Sequence, residues 1–168
     1  VYTKFNLLSL TTYDKVLFLD LSYLPLTPRV ADVFELEPLA MMYTPQYLGE
    51  VVGVENGAPI PASAPHVNAG MMLFRPSTLE FEAIVTDLQS AKNYAFHFPE
   101  QEYLAQRYPG RIRLIAPQWY CNKYTPGCGG GTTCHGIKYL SAKKPWQTDA
   151  PDACDRVWLE RWVAAGFK

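Results

Sequence analysis

The chain has 168 residues, 48% of them hydrophobic and 14% aromatic, which is enough for one domain with a proper core and too little for two comfortable ones. Its formal net charge is -1 and 18% of its residues are charged, so there is no basic field for nucleic acid or an anionic membrane, and neither partner is expected. No apolar run approaches the roughly 20 residues that span a bilayer.

The start, Val1-Tyr2-Thr3-Lys4, has neither an initiator Met nor the charged and apolar regions of a signal peptide, so a processed product or a fragment is expected and the compartment is not legible. Residues 4–10 carry apolar side chains at helical spacing, and Thr11-Thr12-Tyr13-Asp14 ends them before a buried strand at 16–19. Asp20 stands at the carboxyl end of that strand, where open α/β sheets bind ligands. Pro25 and Pro28 punctuate the next stretch of chain; residues 29–34 predict a short helix and 39–43 a second strand. Residues 49–65, rich in Gly, Pro, Ala and Ser, predict an irregular loop or hairpin with a turn at Asn56-Gly57.

Residues 70–74 read as a buried strand ended by Pro76. Ser77 then caps a helix with an apolar stripe of Leu79, Ile84, Val85 and Leu88. Pro99-Glu100-Gln101-Glu102 opens another helix with acids in its first turn. Short strands are predicted at 112–115 and 136–140, and a last helix at 155–165 packs Val157, Trp158, Trp162 and Val163. Strands alternating with helices predict an α/β domain over 1–168, in which the strands at 16–19 and 70–74 are central neighbours covered by the helices of Leu88 and Leu104.

Four cysteines occur, with Cys121, Cys128 and Cys134 crowded into a Gly-rich loop at 121–135 and Cys154 beyond it. A Cys128–Cys134 disulfide, unpaired thiols, and a zinc site using His135 are the alternatives.

The ordered landmarks Asp20-Leu21-Ser22, Val67-Asn68-Ala69-Gly70 with Phe74-Arg75-Pro76-Ser77, Pro99-Glu100-Gln101, and Lys144-Pro145-Trp146 resemble those of the family 8, glycogenin-like, glycosyltransferases. Residues 117–122 resemble the segment before that family's last motif. The resemblance implies a GT-A-like domain with a mixed sheet, ancestrally transferring a hexose from a nucleotide sugar to a hydroxyl acceptor. It places Asn68, Glu100 and Gln101 at the donor and acceptor sugars. Asp20, Ser22, Lys138 and Lys144 fall at the donor diphosphate.

The departures matter as much. Ser22 stands where the family's D-x-D motif has its second acid, Lys138 where it has a metal-binding His, and Ser141 at a Gly position. Asp20 is the one retained ligand position. An ammonium cannot ligate a divalent cation, and on a strand His135 points to the face opposite Lys138. Family members also carry a longer amino-terminal segment that holds the nucleotide base and ribose. A degenerate or inactive transferase is therefore expected, with no metal or cofactor as given, and with manganese and a UDP-sugar if the ancestral activity survives. The alternative is a non-catalytic accessory subunit that uses the fold to bind protein partners.

Overall fold

The computed structural model describes residues 2–44, 54–62, 67–90, 98–123, 128, 134–140 and 143–166. Its spine is β4 (Val67–Phe74), eight residues of which all but Asn68 are buried. A strand apolar on both faces needs cover on both sides and neighbours on both edges. β4 pairs antiparallel with β1 (Val16–Leu19), Val16 opposite Phe74 and Leu19 opposite Met71, and with β3 (Ala40–Tyr43) on its other edge. β5 (Arg113–Ile115) runs parallel to β3, so the sheet is mixed, in the order β1-β4-β3-β5.

The expectation that both apolar runs are central is corrected by this order. β1 adjoins β4 but lies at the edge of the described sheet, and its four residues are only half-buried. A four-residue run without polar positions does not by itself distinguish a central strand from an edge strand leaning on a helix. The helix on β1 is a 3-10 segment, Tyr2–Ser9, which buries Phe5 and Leu8. Spacing of three residues suits that helix type, and the same holds for Val30 and Val33 in the 3-10 segment Pro28–Glu35. α1 (Thr78–Ser90) packs on the first of these segments and α2 (Pro99–Arg107) on β4.

A strand not anticipated, β2 (Tyr23–Pro25), pairs antiparallel with β6 (Gly136–Lys138), setting Tyr23 opposite Lys138. Pro25 is tolerated there because, as the last residue of a two-stranded ribbon, it forgoes no needed donor. The last helix, α3 (Ala153–Ala164), starts two residues earlier than expected because Asp152 and Asp155 form a reciprocal cap. Val163, expected to pack, is 68% exposed. Of the loop at 49–65, the described part, 54–62, is irregular. Gly57 takes its turn at φ 84, a conformation open to glycine. Ser141 lies outside the described residues.

The cysteines pair as Cys121–Cys134 and Cys128–Cys154, with Cα separations of 5.9 and 5.4 Å, and none of the three alternatives, a Cys128–Cys134 link included, is what forms. The reason lies outside the loop's own sequence. His135 N–H donates to the Gln118 carbonyl at 2.7 Å and Cys121 bridges Ile137, which draws Cys134 onto Cys121 and leaves Cys128 facing the first turn of α3. With all four thiols consumed, neither free thiols nor a cysteine-ligated zinc site remains. Cys154→Ser, which opens a link across 26 residues, is expected to cost about 3 kcal/mol under non-reducing conditions. Urea midpoints of wild type and variant, with and without reductant, check this; the difference should vanish when both are reduced.

Candidate functional site

The site is built on an irregularity in β4. Against β3, Met41 faces Met72 but the next residue, Met42, faces Asn68, so residues 69–71 bulge out of that pairing. A bulge leaves backbone groups that must find other partners. Ala69 N–H donates to Gln101 Oε1 at 3.0 Å, and Gly70 N–H to Asn68 Oδ1 at 2.9 Å. The Ala69 carbonyl accepts from Lys4 Nζ at 3.2 Å, and the Gly70 carbonyl from Asp20 N–H at 3.0 Å. Three other chain segments, through Lys4, Asp20 and Gln101, thus converge with Asn68 on the backbone groups of two residues.

Above them lies a charged cluster. Asp20 follows β1 directly, in a turn closed by Tyr23 N–H on the Asp20 carbonyl at 2.9 Å. Lys138, the last residue of β6, is 5% exposed, and its Nζ lies 2.6 Å from Asp20 Oδ2 and 2.6 Å from Ser22 Oγ. Its stem crosses Gly70 so closely that a Cβ there would sit 2.5 Å from Lys138 Cε. Lys4 closes the other side, with Nζ 3.3 Å from Asp20 Oδ1 and 3.2 Å from Glu100 Oε1. Burial pushes the Asp20 carboxyl up, but Lys138 and Lys4 outweigh it and hold the group below its ordinary value. Burial likewise pushes the Lys138 ammonium down, opposed by Asp20.

Asp20, Ser22, Asn68, Glu100, Gln101 and Lys138 therefore share one cluster. Lys144 borders it: its Nζ donates to the carbonyl of Tyr139, next to Lys138, at 3.0 Å, and its charge bears on Lys138. Sequence reasoning missed Lys4. The only signal was a lysine immediately before the run Phe5-Asn6-Leu7-Leu8, at the head of a segment that buries Phe5 and Leu8. His135 is not part of the cluster; its Nδ1 lies 3.2 Å from Thr27 Oγ1 and its ring packs on Trp119. A cavity of about 370 Å³ lined by Leu8, Leu39, Phe74, Arg75, Glu80 and Arg111 lies at the far end of β4 and is separate from this site.

These residues do not fit a divalent metal. Both Asp20 oxygens carry ammonium groups, Ser22 accepts from the same ammonium, and no three acid, His or Cys side chains among the described residues gather to hold an ion. A hard cation wants several oxygens, and here a fixed positive charge stands among the few on offer.

Searched against family models, the chain matches none. It is 32% identical over 133 residues to Uncharacterized protein R707 of Acanthamoeba polyphaga mimivirus, an alignment covering 74% of this chain. The chain spans 41% of that relative's length. Among solved structures, it superposes over its whole length on the galactosyltransferase LgtC in complex with donor and acceptor sugar analogues, with a TM-score of 0.65 at 14% identity and 68% of that chain covered. The glycosyltransferase GlyE of Streptococcus pneumoniae TIGR4 gives a TM-score of 0.67 at 16% identity, again over the whole chain and 47% of the other. The fold is that of the GT-A glycosyltransferases. Within it, Asp20 ends a strand on the side of the sheet where β3 and β5 also end, the side on which α/β folds bind ligands.

Proposed function

We propose that this chain is a glycosyltransferase domain of the family 8 type that meets the diphosphate of a nucleotide sugar with fixed ammonium groups and no divalent ion. In this reading metal-dependent hexosyl transfer has degenerated. The observation that carries it is the position of Lys138 Nζ, 2.6 Å from both Asp20 and Ser22, the two residues that stand at the D-x-D motif. An ammonium has three N–H donors, and these contacts use two, leaving one for a phosphate oxygen. Lys144 at the border supplies further positive charge. Lys4 contributes differently, because Asp20, Glu100 and the Ala69 carbonyl take its three donors.

Charge balance sets the expected strength. Asp20 and Glu100 neutralise Lys4 and Lys138, so the cluster itself offers a diphosphate little net charge. Affinity for UDP alone should then be weak, with a Kd of about 1 mM, corresponding to about -4 kcal/mol. Hexosyl transfer needs stabilisation of the departing diphosphate where charge develops, and one N–H of a paired ammonium supplies a small part of that.

Calorimetric titration with UDP, in manganese and then in excess chelator, tests the reading. Equal weak binding in both, lost in Lys138→Met, is the expected result. Tight manganese-dependent binding abolished by Asp20→Ala would overturn it and restore a metal-dependent transferase.

A further inference from the structure

Three of the chain's four tryptophans form a row on the surface. Trp158 and Trp162 lie one turn apart on α3, their ring centroids 4.9 Å apart and the planes 21° from parallel. Trp146 leans on Trp158 at 5.0 Å and 47°. Large aromatic rings gain most from burial, yet Trp146 is 50% and Trp162 39% exposed. Trp158 is held by the small cluster of Ile137, Tyr139 and Cys154, and it is the flanking rings of Trp146 and Trp162 that keep large exposed areas.

The row is continuous with the charged cluster. Trp146 is two residues from Lys144, whose ammonium bonds the Tyr139 carbonyl, and Tyr139 is the neighbour of Lys138. The Tyr139 hydroxyl in turn donates to the Cys154 carbonyl in the first turn of α3 at 3.1 Å, and the Cys128–Cys154 disulfide anchors the same turn. Charge narrows the choice of occupant. Residues 143–166, which carry all three indoles, contain four basic and four acidic side chains, so the segment has no net charge with which to attract anionic lipid or a charged polymer. Neutral aromatic faces with polar surroundings suit the C–H faces of pyranose rings.

We infer that the Trp146–Trp158–Trp162 row is a platform for a neutral oligosaccharide, placed to hold the acceptor beside the Asp20–Lys138 cluster. Its role as acceptor site rests on the donor-domain reading above; its affinity for sugar does not.

The experiment titrates the full chain with neutral tetrasaccharides of glucose and of galactose, read by tryptophan fluorescence and calorimetry, with UDP titrated separately. Saturable binding of at least one tetrasaccharide is expected, weakened about tenfold by Trp146→Ala and by Trp162→Ala and largely kept by Trp162→Phe, with circular dichroism and UDP binding unchanged. No binding by folded wild type, or binding indifferent to both alanine variants, overturns the platform. So does a row that instead drives self-association or partitioning onto phosphatidylcholine vesicles. UDP bound without sugar removes the platform alone, whereas sugar bound without UDP removes the donor reading and leaves the platform standing.

Discussion

Asp20→Ala is expected to destabilise the fold by about 3 kcal/mol, because it strands the ammonium of Lys138 in a position only 5% exposed with a single hydroxyl for company. Lys4 also loses a contact but keeps Glu100 and the Ala69 carbonyl. Replacing both partners should cost less than replacing one, so Asp20→Asn with Lys138→Met is expected to recover part of the loss. Acid should reproduce the effect in the wild type. The Asp20 carboxyl is held below its ordinary value, so its stabilisation is present above the unfolded value, near 3.8, and is lost as pH falls through the lower folded value. Wild type should therefore converge on Asp20→Ala as pH drops below about 4. Urea unfolding at neutral and acid pH provides the comparison. A loss under about 0.5 kcal/mol at neutral pH would mean that the pair is a solvated surface contact.

The fold was more legible in the sequence than the reasons for it. Val67–Phe74 is apolar almost throughout and is the central strand, whereas Val16–Leu19 carries the same signature and sits at the described edge. Periodicity registers burial; it does not register which neighbours supply it. The cluster was legible through the ordered motifs at Asp20, Asn68, Gln101 and Lys144, but what Asn68 and Gln101 do was not. Their side-chain oxygens accept from the N–H groups of the β4 bulge, and nothing local in the sequence announces a bulge produced by a register jump against β3. Lys4 and the disulfide pairing escaped for a related reason. Both are settled by contacts between segments far apart in the chain, Lys4 with Asp20 and Glu100, and Cys128 with Cys154.

Gly136→Ala is expected to be at least as damaging as loss of Asp20, although it adds one methyl group. A Cβ at Gly136 would overlap the ring and hydroxyl of Tyr23. Tyr23 is buried, and its hydroxyl donates to the Trp119 carbonyl at 2.6 Å, so it cannot swing away without orphaning that carbonyl and opening the core. Overpacking of this kind costs about 1–3 kcal/mol, and an unsatisfied buried carbonyl adds about 1–3 more. The damage also travels, since Tyr23 pairs with Lys138 across the β2–β6 ribbon and a displaced Tyr23 loosens the strand that aims the ammonium at Asp20. Both unfolding free energy and UDP affinity should fall in Gly136→Ala. Tyr23→Leu in the same chain makes room for the methyl, so the double variant should lose less stability than the two single losses added together. Strict additivity of the two would show that the methyl and the Tyr23 ring do not meet, and that Gly136 is there for some reason other than the room it leaves.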